Sequence, residues 1–387
     1  MGRKLRRAMQ SEKAKSSTGW MLRVAQDAQR ADILYLTRFQ APDPFLLLTH
    51  PRQGRILLVS ELEYGRARRC APVTEVLTPQ DLGAARRAPG LAGEACALLR
   101  VKGIRHVTVP DDSPVGLVET LRRAHIRVAL APAPTLPERA VKSAQEMRWM
   151  RLAQRAAVAA MRASFDVIHA ASVTPDGRLR HRREILTSEG VQRVIEDTLR
   201  AHNCSAEETI VACGPAAADP HERGAGPLQA HRPIVIDIFP RQRRHGYWGD
   251  LTRTVVKGQP AARAAAAYAA VRAAHRAALA ALRPRRTGRA IDALARREIA
   301  AAGFAVRRGD GPPRGFIHSL GHGVGLAIHE APRLSPLSHD RLRTGHVVTV
   351  EPGIYEPEWG GVRLEDTVEI TPTGYRLLCP CPDPFLL

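Results

Sequence analysis

The stretch that decides the fold runs over residues 234–254 and reads IVIDIFPRQRRHGYWGDLTRT. Asp237 interrupts an apolar, strand-like run, and a carboxylate buried there is costly unless it is paired or bound to a metal. Asp250 follows 13 residues later, after a polar stretch typical of a turn. A hairpin across this separation would bring Asp250 alongside Asp237. In the rival interpretation, Asp237 merely ends a strand and Asp250 merely lies in a turn.

A second stretch, HSLGHGVGLAIHEAP, occupies residues 318–332. His322 lies between two glycines, which permit close backbone approach and unusual dihedral angles. His318 precedes His322 by four residues, and His329 follows it by seven. Histidines at these spacings are hard to explain as scattered core residues, so the stretch predicts a site.

Two acidic strand ends follow, in VVTVEPGIYEP (347–357) and GGVRLEDTVEIT (360–371). Glu351 ends an apolar run just before a Pro-Gly turn. Strand alternation places Arg363 and Glu365 on one face. A structural salt bridge between these two residues is the alternative interpretation.

The motifs together supply four carboxylates and one imidazole, and the apolar residues around them predict that these groups are buried. Unpaired buried charges are costly, so such a cluster requires bound cations. Carboxylate oxygens with one imidazole suit manganese, cobalt, iron or zinc, whereas calcium would not need the histidine. Four negative charges neutralise two divalent ions, and ions ~4 Å apart can share a hydroxide that is nucleophilic at neutral pH.

The chain of 387 residues is long enough for two domains. We expect a disordered basic arm at 1–16, an N-terminal α/β domain at 17–140 and a catalytic domain at 141–387. Three prolines in APAPTLPERAVK (131–142) mark a linker. Within the N-terminal domain, the apolar run Ile33–Leu36 predicts a strand.

Just after the linker, Ser143 and Glu146 form a capping-box pattern that predicts the start of a helix. Beyond that start, two helices followed by strands occur twice along the chain. This repetition predicts a duplicated α+β architecture.

Charge and cysteine content narrow the possible functions. The net charge is +20, and 52 of the 58 basic residues are arginines scattered through every segment, without a basic-aromatic module, so we expect no specific nucleic-acid partner. None of the six cysteines forms a C-x-x-C pair, which favours a reducing compartment. Because no apolar run approaches ~20 residues and the basic start has no apolar core, we expect a cytoplasmic location without membrane association.

The order of the acidic and histidine motifs resembles the M24 metallopeptidase family. The resemblance rests on Asp, then Asp in DLTRT, His in GHGVG, Glu in VEPG and Glu in RLED, and it covers roughly residues 142–372. It implies an α+β pita-bread (creatinase/aminopeptidase-like) catalytic domain. The Xaa-Pro branch also carries an N-terminal α/β domain. The loop between the aspartates is slightly longer here than is usual in the family, but an even number of added residues keeps both on one face.

The resemblance also implies a ligand set for two metal ions. Asp237 and Asp250 match the ligands of one metal, His322 and Glu351 match ligands of the other, and Glu365 matches the bridging ligand.

Catalytic and substrate-binding roles follow from the same resemblance. Glu351 matches the proton shuttle, and His329 matches a histidine that stabilises the oxyanion. His221, His318 and Arg363 match residues that contact substrate, and Arg363 is also placed to orient Glu365 and Asp250.

These assignments imply an Xaa-Pro peptidase. The enzyme would hydrolyse the peptide bond before proline with a hydroxide that bridges two metal ions, manganese first and cobalt, zinc or iron as alternatives. The expected substrate is a peptide with proline at its second position, and the expected assembly is a homodimer. The rivals are a creatinase- or lyase-like enzyme and a pita-bread binding protein. Creatinase-like enzymes and binding homologues commonly lack part of the ligand set, whereas the ligand set leaves a lyase on this scaffold open.

If the arginine excess is only compositional, duplex DNA should bind weakly, with a Kd of ~10⁻⁴–10⁻⁶ M at physiological salt, and binding should weaken steeply as salt is raised. Fluorescence anisotropy with two unrelated duplexes over a salt series measures both properties. Tight binding that distinguishes the two duplexes would revive the binding-protein interpretation.

Overall fold

A computed structural model describes residues 19–25, 29–85, 90–206, 208–309 and 311–387. The arm predicted at 1–16 lies outside these ranges. The chain divides into two compact units between Pro137 and Glu138, and each unit is described by itself.

Helices and strands are numbered in chain order. The helices are α1 Arg30–Thr37, α2 Glu61–Cys70, α3 Gly90–Val101, α4 Val115–Arg123, α5 Ala144–His169, α6 Ser188–Ala201, α7 Ala262–Ala281 and α8 Gly288–Ala301. The strands are β1 Met21–Val24, β2 Leu46–His50, β3 Gly54–Leu58, β4 Glu75–Leu77, β5 His106–Pro110, β6 Arg127–Ala131, β7 Ser172–Val173, β8 Leu179–His181, β9 Glu184–Ile185, β10 Cys204–Ser205, β11 Ile210–Cys213, β12 Ile234–Ile238, β13 Arg241–Gln242, β14 Leu251–Val255, β15 Gly321–Gly323, β16 Glu330–Leu334, β17 Val347–Val350, β18 Gly353–Glu356, β19 Gly360–Arg363, β20 Asp366–Ile370 and β21 Tyr375–Leu377.

The first unit is built on a mixed six-stranded sheet with the order β4-β3-β2-β1-β5-β6. Its central strand β2 is apolar on both faces because each face packs on helices. Leu46 and Leu48 lie in a cluster with residues of α3 and α4, whereas Leu47 lies with residues of α1 and α2. A strand covered on both sides reads as a continuous apolar run, as this one does.

The strand predicted at Ile33–Leu36 is wrong, because these residues belong to helix α1. The buried positions of α1 are Ala31, Ile33, Leu34 and Thr37. Their spacing is that of one helical face, and a short apolar run by itself cannot distinguish a strand from a buried helix.

The second unit repeats one arrangement twice, as the order of its elements predicted. Helices α5 and α6 share a core with the strands β11, β12 and β14, which form one antiparallel sheet. Helices α7 and α8 share another core with β17 and β20, which belong to the sheet β16-β15-β17-β20-β21. We refer to these two arrangements as the first and second halves of the unit.

Helix α5 begins with the predicted capping box. The Ser143 hydroxyl accepts from the Glu146 amide at 3.3 Å, and the Glu146 carboxylate accepts from the Ser143 amide at 2.8 Å. The other oxygen of Glu146 accepts from the Tyr247 hydroxyl at 2.7 Å, which ties the helix start to the β12–β14 connection. In the described ranges, no helix combines the length and apolar character that a membrane crossing requires.

Candidate active site

A pocket of about 730 Å³ opens in the second unit, and it gathers every residue for which the sequence predicted a site role. These residues are His221, Asp237, Asp250, His318, His322, His329, Glu351, Arg363 and Glu365. The pocket therefore joins the first half, which carries the two aspartates, to the second half, which carries both glutamates.

The predicted hairpin places the two aspartates on one face. Strands β12 and β14 pair antiparallel, with Asp237 opposite Thr252. Asp250 lies two residues before Thr252, so strand alternation directs it to the same side. Gln154 of α5 fixes the Asp250 backbone, because its amide donates to the Asp250 carbonyl at 2.8 Å and its oxygen accepts from the Asp250 amide at 2.9 Å.

The glycines that flank His322 are required by close backbone approach. A Cβ atom on Gly321 would lie 2.1 Å from the Thr349 carbonyl oxygen, and one on Gly323 would lie 2.4 Å from the Ala331 carbonyl oxygen. Any side chain at either position would force neighbouring backbone to move. This tight packing holds His322 against the strand that leads to Glu351.

His322 and Glu351 form a direct pair. His322 Nε2 lies 3.2 Å from a Glu351 oxygen and 3.7 Å from an Asp250 oxygen. The Thr349 hydroxyl bridges the two segments, since it accepts from the His322 amide at 3.0 Å and donates to Glu351 at 3.0 Å.

Glu365 is held by the first half of the unit. Its carboxylate accepts from the Thr252 hydroxyl at 2.7 Å, and its amide donates to the Thr252 carbonyl at 3.0 Å. One ligand atom each from Asp250, His322 and Glu365 lie within 4.8 Å of one another. This spacing suits a single shared cation.

The buried acids repel one another. Burial, followed by the charges of neighbouring carboxylates, raises the pKa of Asp250 and of Glu365 well above the usual values. Burial also raises the pKa of Asp237, against the lowering effect of Arg363. The cluster therefore lacks enough positive charge to hold all its carboxylates ionised.

Glu351 and His322 behave differently because they pair with each other. Burial opposes charge on both, but the hydrogen bond and charge of His322 lower the pKa of Glu351 to about 2. The hydrogen bond to Glu351 likewise raises the pKa of His322 to about 9. A metal ion that takes the His322 nitrogen must therefore displace a proton.

The residues present fit divalent cations. Asp237 Oδ1 is buried and has no hydrogen-bond partner among the described residues. An acceptor buried in this way is costly unless something else satisfies it. Together with the surplus of negative charge, this orphaned oxygen fits a cation that supplies the missing partner.

Arg363 lines the pocket and contacts one of the aspartates directly. Its guanidinium is buried and donates to Asp237 at 2.7 Å and to the Tyr355 hydroxyl at 2.8 Å. These contacts orient Asp237. Arg363 Nε also donates to the Thr252 hydroxyl at 3.3 Å, and that hydroxyl donates to Glu365. The predicted role of Arg363 in orienting Glu365 and Asp250 stays a prediction.

Sequence reasoning missed Tyr355, which links Arg363 to His318. The Tyr355 hydroxyl lies 2.9 Å from His318 Nε2, and His318 Nδ1 lies 2.8 Å from the Ser319 carbonyl. A proton on Nδ1 satisfies both contacts, because Nε2 can then accept from the tyrosine. Burial lowers the pKa of His318 to about 4, in keeping with this neutral ring. The signal was the position of Tyr355 in the strand just after the Pro-Gly turn.

The remaining predicted residues line the open part of the pocket. The His329 ring meets the His322 ring edge-on, with centroids 4.3 Å apart. Burial and then the charge of His322 lower the pKa of His329 to about 4. His221 is exposed on the loop between β11 and β12.

Comparison with known proteins agrees with this geometry. Residues 148–372 match the model of metallopeptidase family M24. An Xaa-Pro dipeptidase of Pyrococcus horikoshii is 31% identical over 72% of this chain and 74% of its own length. An Xaa-Pro dipeptidase of Pyrococcus furiosus is 41% identical over 44% of this chain, and that match spans 47% of the relative.

The fold is similar over a longer range. The crystal structure of the prolidase from Pyrococcus horikoshii superposes with a TM-score of 0.78, at 26% identity, over 96% of this chain and 97% of the prolidase chain. This likeness confirms the predicted pita-bread fold with an N-terminal α/β domain.

Proposed function

Because this chain belongs to the metallopeptidase family M24, we propose that it is an Xaa-Pro peptidase, which hydrolyses the peptide bond before proline and releases the N-terminal residue. The observation that carries the proposal is the buried acidic pocket in which Asp250, His322 and Glu365 bring ligand atoms within 4.8 Å of one another. Similarity to two proteins named Xaa-Pro dipeptidase supports the substrate class.

Two divalent ions would be held by the predicted ligands, which are Asp237, Asp250, His322, Glu351 and Glu365. Manganese is the expected metal, with cobalt, zinc or iron as alternatives. When bound, such ions supply Lewis-acid activation of a water nucleophile and of the scissile carbonyl. The orphaned Asp237 oxygen and the excess of carboxylates support this assignment.

Glu351 would move the proton. Its carboxylate lines the pocket beside His322, and an ionised carboxylate can accept a proton. The nitrogen of a prolyl peptide bond carries no hydrogen, so it leaves as an amine only after it has gained a proton. Glu351 would take that proton from the attacking water and deliver it to the nitrogen.

The histidines would act on the substrate. A neutral His329 can donate a ring N–H to the oxygen on which negative charge develops. His221, exposed at the pocket, would contact the peptide. Both nitrogens of His318 are engaged by Tyr355 and Ser319, so His318 would meet the substrate through its ring edge.

The pocket also has an apolar wall, formed by Phe239, Ile317 and Ile328. A proline ring offers shape and apolar surface but no backbone donor, and an apolar wall is the surface that recognises it.

Arg333 favours dipeptides over longer peptides. Its side chain is exposed on β16, it lines the pocket, and its positive charge contributes to the lowered pKa of His329. In a dipeptide, the free carboxylate lies one residue beyond the bond that is cut. A guanidinium beside His329 suits that carboxylate, which a longer peptide does not present there.

The first prediction from the proposed function tests the activity. Protein reconstituted with Mn²⁺ should bind close to two ions per chain and hydrolyse Ala-Pro, and a chelator should abolish turnover. Elemental analysis and an assay of released alanine measure both. Bound metal without hydrolysis would favour a non-peptidase enzyme of the family, and absence of metal would favour a binding protein.

The second prediction separates His322 from His329. His322→Ala should lose metal because it removes a proposed ligand. His329→Ala should keep both ions but lower kcat by ~10²–10³-fold, as expected for the loss of an oxyanion donor. Metal stoichiometry and kcat under saturating Mn²⁺ test this. If His329→Ala loses metal while His322→Ala keeps it, the ligand assignment is wrong.

The third prediction concerns Arg333. Arg333→Ala should raise KM for Ala-Pro about tenfold or more, because a charge-assisted hydrogen bond contributes ~1.5–3 kcal/mol. KM for Ala-Pro-Ala should change little. Arg223→Ala is the matched control, since Arg223 also lines the pocket. Equal losses on both substrates would contradict the dipeptide assignment.

A further inference from the structure

Arg253 lies in the middle of β14, three residues after Asp250, and it is 3% exposed. One terminal nitrogen of its guanidinium donates to the carbonyl oxygens of Glu365 at 2.5 Å and Thr252 at 2.9 Å. The other terminal nitrogen donates to the Asp366 carboxylate at 2.8 Å. Arg253 thus joins the strand that follows Asp250 to the backbone of Glu365.

The remaining donors of Arg253 reach a different part of the chain. Its Nε donates to the Pro382 carbonyl at 2.9 Å, and a terminal nitrogen donates to the Cys381 carbonyl at 3.1 Å. Both carbonyls belong to residues 379–387, which we call the strap. The strap therefore completes the set of acceptors around the buried guanidinium.

The strap is itself anchored to both halves of the unit. The Val256 amide donates to the Phe385 carbonyl at 2.7 Å, and the Leu387 amide donates to the Val256 carbonyl at 3.0 Å. The Phe385 ring stacks on Tyr268 with centroids 3.9 Å apart, and the Tyr268 hydroxyl donates to the Asp383 carbonyl at 2.9 Å. These contacts hold the strap between the end of β14 and helix α7.

A buried guanidinium is stable only while its donors are satisfied. If the strap loosened, Arg253 would lose two acceptors and could turn away from Glu365 to recover partners. The Glu365 backbone would then lose a hydrogen bond on the side away from the pocket. The carboxylate that Thr252 holds would lose part of its support.

We propose that Arg253 is a positioning residue and that the strap supports the metal site. Together they hold the Glu365 backbone in register with Asp250. The inference rests on the proposed two-metal function. It assigns a role to a segment that contributes no residue to the pocket.

The test measures metal affinity on the full-length, metal-free protein by calorimetric titration with Mn²⁺. Arg253→Lys keeps the charge but cannot reach all the acceptors, and Phe385→Leu weakens the strap while leaving every proposed ligand in place. Each should weaken Mn²⁺ binding by about 10–100-fold, the scale seen when partners that orient metal ligands are removed. Excess Mn²⁺ should restore turnover in both variants.

Phe39→Leu is the matched control, because Phe39 is buried in a core of the first unit that includes neither strap residues nor residues that line the pocket. It should lower the melting temperature of the metal-free protein and leave the Kd for Mn²⁺ unchanged. Wild-type affinity in both Arg253→Lys and Phe385→Leu, at lowered melting temperatures, would overturn the inference and leave the strap a purely structural element. Absence of Mn²⁺ uptake by the wild-type protein would instead overturn the proposed function, and this inference with it.

Discussion

Repulsion between buried carboxylates is the constraint on which the rest of the site depends. Asp237, Asp250, Glu351 and Glu365 line one pocket, and burial with mutual repulsion raises the pKa of Asp250 and Glu365. Positive charges must lie next to these carboxylates if the carboxylates are to stay ionised. The guanidinium of Arg363 and the imidazole of His322 meet part of this need, and the divalent cations of a metallopeptidase meet the remainder.

Like charges held close together repel one another and would otherwise separate. Side chains on the surrounding helices resist this by hydrogen bonding to the backbone of the segments that carry the pocket residues. Gln154 holds Asp250 from helix α5. On helix α8, Asp292 accepts from the Leu320 amide at 3.1 Å, and Arg296 donates to the His318 carbonyl at 2.5 Å. Each of these hydrogen bonds joins a helix to a segment that carries a pocket residue. Helices α5 and α8 therefore pack together with the site as one system.

Features of the site that depend on residues close together in the chain could be predicted from the sequence, whereas contacts between distant residues could not. The hairpin and the glycines around His322 were predictable because strand alternation and glycine geometry act over a few residues. The link from Tyr355 to His318 was not, because it joins side chains 37 residues apart whose approach depends on the packed fold. The prediction of a strand at Ile33 is wrong because the apolar run is too short to show either a helical or a strand periodicity, and so it fits both a helix and a strand. The residue roles, the domain bounds 17–140 and 141–387, the manganese preference, the homodimer and the cytoplasmic location stay predictions.

The division of the pocket between two halves bears on when the protein can acquire its metals. Asp237 and Asp250 come from the first half, whereas His322, Glu351 and Glu365 come from the second half, more than a hundred residues later in the case of Glu365. Under the proposed ligand set, a chain emerging from the ribosome has only two of five ligands until most of it has been made. The complete two-metal site can then form only late in maturation, once the second half has been made and has packed against the first.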